Sequence, residues 1–200
     1  MKIVAADDQP RRSRRYALLL AARDSEYVLK AYGGYFNVFV SAFGGGGGKD
    51  SDVCETWDMF RAVDGELPDL DDIGRYDGFV ISGSPYDAFL DALQDLPQYA
   101  KITECHQDEV WEAPLGADAL ASSDKTGVEM FCVCDHVLGI QGHPEYTGDI
   151  LLSLVYRLST SHFITVSFAE DVKRQLKATS PDREFWLNLC KSFLKAEELY

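Results

Sequence analysis

The chain has 200 residues, 46% hydrophobic and 26% charged, proportions of an ordinary folded protein that exclude wholesale disorder. Its formal charge of −14 argues against nucleic acid as a partner, because phosphate binding needs a basic surface. No apolar run nears the ~18 residues that a membrane helix needs.

The length suits one domain, read as residues 16–200 behind a basic arm at 1–15. The arm sets Lys2, Arg11, Arg12, Arg14 and Arg15 against Asp7 and Asp8. It has too little serine and no amphipathic pattern for a transit peptide, so it reads as solvated. A secretory apolar region is missing as well. Five cysteines, an odd number without small-domain spacing, read as reduced thiols and place the chain in the cytosol.

In chain order, Tyr16-Ala-Leu-Leu-Leu-Ala-Ala22 is a buried-strand run, and Asp24-Ser25 caps a short helix through Tyr32. Gly33-Gly34 stops it, and residues 37–43 read as a second strand. The five glycines at 44–48 lack the Lys-Ser/Thr of a phosphate loop and read as a tolerant connection. Residues 57–63 suggest a third strand and 68–75 a polar turn or helix. Residues 76–82 form the clearest strand, ending at Gly83-Ser84-Pro85. Glycine at the carboxyl end of a parallel strand marks where open α/β sheets place ligands; an ordinary turn is the alternative.

Beyond Thr103 the pattern shortens. Val110 and residues 119–121, 128–133 and 137–141 are strand-like pieces, as in an antiparallel extension. The last third is helical. Apolar residues at 150, 151, 154, 155 and 158 form a stripe, 168–178 is amphipathic, and Ser180-Pro181 opens a final helix.

The sharpest chemical feature is Gln141-Gly-His-Pro-Glu-Tyr146 between a strand and a helix. Pro144 biases His143 toward an extended backbone, where residues two apart point to one side. His143 and Glu145 then face a common partner, the imidazole as base and the carboxylate holding its tautomer. A turn whose histidine only bonds locally is the alternative. Cys132-x-Cys134-x-His136 alternates like metal ligands, but an apolar strand explains it and no second ligand pair has zinc-like spacing. Cys105 and His106 are neighbours that point to opposite faces, unsuited to a catalytic pair.

Gly-His-Pro-Glu after a strand resembles the base-and-orienter motif of class I glutamine amidotransferases. Tyr32-Gly-Gly-Tyr35, Tyr76-Asp-Gly-Phe-Val-Ile-Ser-Gly-Ser-Pro85, Cys105-His-Gln-Asp-Glu-Val110 and the stretches at 16–21 and 141–146 resemble, more narrowly, the plant γ-glutamyl peptidases. The resemblance runs from about Tyr16 to the C-terminus. It implies a flavodoxin-like α/β fold, with a mainly parallel sheet, an antiparallel extension and helices on both faces. It also implies cysteine-dependent attack on a γ-glutamyl amide such as a glutathione conjugate, through a thioester. By the same resemblance His143 is the base and Glu145 its orienter, Gly83 and Ser84 form the oxyanion loop, and Cys105, His106, Gln107 and Asp108 wall the glutamyl end. The implied partner is a small γ-glutamyl substrate, with no metal or organic cofactor; protein partners are left open.

One departure cuts across this. The family carries Gly-x-Cys-x-Gly-x-Gln on a strand-to-helix elbow. No cysteine here, at 54, 105, 132, 134 or 190, has the flanking glycines that let an elbow form. The chain reads as though a strand–elbow–helix unit were excised near Phe89-Leu90. The expectation is a catalytically impaired hydrolase, or a non-catalytic γ-glutamyl-ligand or protein binder, or a truncated product.

Overall fold

The computed structural model describes residues 13–45, 54–83, 99–105, 109–134 and 136–195. The glycines at 46–48, Ser84, His106, Gln107, Asp108 and the Phe89-Leu90 junction lie outside them.

The first sheet is parallel. Strand β1 (Ser13–Leu19) lies between β2 (Cys54–Phe60) and β3 (Gly78–Ile81). Its Tyr16, Ala17 and Leu18 are wholly buried, which explains their continuous apolar run: a central parallel strand is covered on both faces. β1 begins three residues before that run, and its Arg15 pairs with Asp58 of β2 at 2.6 Å. β2 lies further toward the N-terminus than its sequence suggests, because register with β1 places it and not its own polar alternation.

Helix α1 (Glu26–Tyr32) is capped as expected, with Ser25 Oγ accepting from the Val28 amide at 3.2 Å. Residues 37–43 are not a strand. They belong to helix α2 (Tyr35–Phe43), which buries Val38, Phe39, Ala42 and Phe43. Gly33 at φ +74° and Gly34 at φ +116° turn the chain sharply, in backbone that favours glycine. Asp24 Oδ1 then accepts from the Tyr35 amide at 2.6 Å, capping α2 from before α1. Burial of one face overrides the β-prone composition.

Two 3-10 turns (Ala62–Asp64 and Leu70–Arg75) lead to β3. The second sheet is antiparallel, in the order β4 (Asp118–Ala121), β5 (Met130–Val133), β6 (Val137–Ile140). Val110 lies outside it. Helices α3 (Gly148–Thr160), α4 (Val166–Ala178) and α5 (Arg183–Leu194) follow. The architecture is α/β, compatible with a flavodoxin-like fold with an antiparallel section. No helix among the described residues is long and apolar enough to cross a membrane.

Helix α5 joins the two sheets. Its Leu187 packs with Leu18, Leu20 and α2 on the parallel sheet. Trp186 and Leu189 pack with Met130, Leu120, Leu138 and Ile140 on the antiparallel one.

The other face of the parallel sheet is less covered. Phe79 and Ile81 pair with Ala17 and Leu19, so they point away from α2 and α5. They remain 38% and 50% exposed. Adjacent exposed apolar side chains on one face make a sticky patch. We expect the purified chain to bind a dye specific for apolar surface, and Phe79→Ser with Ile81→Thr to weaken that binding without lowering the melting temperature. A wild-type chain that binds no dye would show the face to be closed.

Candidate active site

The motif at 141–146 leaves β6 and enters α3. His143 and Glu145 face each other as the extended backbone requires, with Nδ1 to Oε1 at 2.9 Å. A carboxylate only accepts, so Nδ1 donates in this bond and Nε2 is the ring nitrogen left free of Glu145. The side chains are 18% and 6% exposed: Glu145 is enclosed and His143 retains access.

Several elements converge to hold this pair. The His143 amide donates to the Thr103 carbonyl at 2.6 Å, and the Tyr146 amide to the His143 carbonyl at 3.2 Å. From α5, Arg183 Nε donates to the Tyr146 carbonyl at 3.2 Å and Nη2 to the Glu145 carbonyl at 3.3 Å. At the start of α3, Asp149 accepts from Tyr27 and Tyr32 at 2.7 and 2.6 Å and from Thr147 at 2.5 Å. Although burial opposes it, these donors hold its carboxyl down at about 2.

Gly83, at the end of β3, also reaches the dyad. A Cβ built on it would stand 3.3 Å from His143 Cε1, so the loop touches the imidazole edge and a side chain there would crowd it. Ser82 beneath is buried and accepts from the Ala21 amide through Oγ at 2.9 Å. The cavity bordered by His143, Thr103, Tyr146, Arg183 and Trp186 measures about 10 Å³, the room of one water. A larger groove of about 380 Å³, lined by Arg15, Asp58, Phe60 and Tyr76, contains no residue of the dyad.

The thiols are the other half of the question. Burial pushes Cys105 up, with Arg157 opposing. Burial, and then the charge of Glu145, push Cys190 of α5 up to about 12. Both are held as thiols, the reverse of an activated nucleophile. Cys132 is buried in β5, and Cys134 is exposed on the β5–β6 turn at φ +52°. Cys54 is exposed at the start of β2, one strand length, about 20 Å, from the carboxyl ends where His143 meets Gly83. Among the described residues no group of three or more His, Cys, Asp and Glu side chains is placed to hold a metal.

Sequence reasoning missed a carboxyl pair, Glu104 with Glu129. Glu104 follows Thr103, and Glu129 precedes β5, its carbonyl accepting from the Gln141 amide at 2.9 Å. Burial, then the hydrogen bond and charge of Glu129, push Glu104 up to about 8, with Lys125 opposing. The residues are distant in the chain, and only the paired fold brings them together.

These features, an α/β sheet with a histidine–glutamate pair beside the glycine that follows a parallel strand, define a glutamine-amidotransferase-like chain. No family profile and no solved structure matches it. It is 38% identical to γ-glutamyl peptidase 3 of Arabidopsis thaliana over 248 residues, covering 91% of this chain and 97% of that protein. It is 38% identical to γ-glutamyl peptidase 5 of the same plant over 247 residues, with 91% and 96% covered. With γ-glutamyl peptidase 2 it shares 36% over 250 residues, with 94% and 98% covered. The chain belongs to the plant γ-glutamyl peptidase family. The aligned spans exceed its own 200 residues, so the relatives carry several tens of positions with no counterpart here.

The carboxyl pair makes a pH prediction. A glutamate whose folded value is raised binds its proton more tightly in the folded state, so stability is lost as pH climbs from 4.5 toward 8. Glu104→Gln keeps a hydrogen-bond donor that does not titrate. Its melting temperature should therefore fall less than wild type's between pH 5 and pH 9; parallel curves would remove the pair's role.

Proposed function

We propose that this chain carries the base-and-orienter half of a γ-glutamyl hydrolase for γ-glutamyl amides such as glutathione conjugates, and that loss of the nucleophile elbow leaves it catalytically impaired. The observation that carries the reading is the contrast at the site. His143 and Glu145 are bonded at 2.9 Å, while burial holds Cys105 and Cys190 as thiols.

In the full reaction, a cysteine thiolate attacks the γ-carbonyl, and the tetrahedral oxyanion needs backbone N–H donors. Gly83 and Ser84 are assigned that role. His143 Nε2 takes the thiol proton and returns it to the leaving amine, Glu145 stabilising the imidazolium between the two transfers. Water, deprotonated by the same Nε2, then hydrolyses the thioester and releases glutamate. Cys105, His106, Gln107 and Asp108 wall the amino-acid end of the substrate. His143 and Glu145 supply the proton steps, but nothing here forms the thioester. The positions that the relatives hold and this chain lacks are the proposed location of the elbow.

Incubation with glutathione, an S-alkyl glutathione and glutamine, with glutamate release as readout, tests this. We expect release at the level of the buffer control. Turnover near ~1–10³ s⁻¹, the usual enzyme range, that vanished in a single Cys→Ser variant would overturn the proposal.

A further inference from the structure

A hydrogen bond fixes one atom of an imidazole and leaves the ring free to tilt about it, and the terminal torsion of histidine is broad. Something else must set the plane of His143. The ring of Tyr146 lies flat against it, with centroids 4.1 Å apart and planes 4° apart. Tyr146 is itself fixed from three sides. Its ring packs on Val28, Val38 and Ile150, contributed by α1, α2 and α3. Its amide bonds the His143 carbonyl, and Arg183 holds its carbonyl. Burial pushes its hydroxyl up, so a neutral phenol faces the imidazole.

We propose that Tyr146 is a positioning residue for His143. The stack sets the plane of the imidazole, so that Nδ1 stays on Glu145 and Nε2 points away from it. Arg183 locks the arrangement by gripping the carbonyls of both Glu145 and Tyr146. The base is thus preset by α5 and the α1–α3 core, without any contribution from a nucleophile. This assignment deepens the reading of His143 as the family's base and rests on it. Its test reads ring geometry and not turnover, so the two fail separately.

The full chain, labelled with nitrogen-15, has four histidines, and His143→Gln assigns the resonances of His143. Wild type should show a slowly exchanging, downfield Nδ1 proton and carbon-bound ring protons moved upfield by the Tyr146 ring. Tyr146→Phe, which keeps the stack, should retain both. Tyr146→Leu should lose the upfield shift and exchange its Nδ1 proton several-fold faster, while amide signals away from residues 143–147 stay in place. A Tyr146→Leu protein that kept the wild-type exchange rate would overturn the proposal. Should that variant fail to fold, Arg183→Gln decides: faster Nδ1 exchange supports the lock, and an unchanged rate overturns it.

Discussion

Helix α5 occupies the seam between two three-stranded sheets that share no ladder hydrogen bonds among the described residues. Leu187 belongs to the core of one sheet and Trp186 and Leu189 to that of the other. Burying side chains of this kind is worth about 1.5–3 kcal/mol each, a large share of the ~5–15 kcal/mol that holds a domain folded. The first turn of α5 does more than pack. The Asp182 amide and Trp186 Nε1 both donate to the Lys101 carbonyl, at 2.8 and 3.0 Å, while Arg183 holds the motif. One helix therefore positions the segment leading to Glu104, the His143–Glu145 pair and the sheet junction together.

On the proposed reading, this dependence explains how His143 and Glu145 stay paired without a nucleophile beside them. The dyad is built from β6, the turn into α3 and the start of α5, all of which lie beyond the proposed excision. The electrostatics follow the same division. The carboxylate that orients His143 also helps to push the Cys190 thiol up, so a nearby cysteine is made less reactive by the machinery that would need it.

What the sequence made legible was local. Strand β3 running toward Gly83, the Gly-His-Pro-Glu stretch and the final helices follow from spacing and turn chemistry, and all three are present. Helix α2 was misread because its cap is Asp24, on the far side of α1, while Val38, Phe39 and Val40 have strand-like composition. β2 was placed too late in the chain because its Glu55 and Asp58 obscure the pattern that pairing to β1 imposes. Arg183 carried no signal at all, since its partners are backbone carbonyls from another part of the chain. Tyr146 was visible beside Glu145, but its stacking on His143 follows from the turn, not from the residue type.

On the proposed function, the proton-transfer half of the site is intact and only the nucleophile is lacking. The direct measurement is glutamate release by a chimera in which the relatives' internal stretch, proposed to carry the elbow, is inserted at Phe89-Leu90. The account predicts γ-glutamyl hydrolysis by the chimera, abolished by His143→Ala and reduced less by Glu145→Gln. A cooperatively folded chimera that releases no glutamate, or one that keeps its rate after His143→Ala, would contradict it.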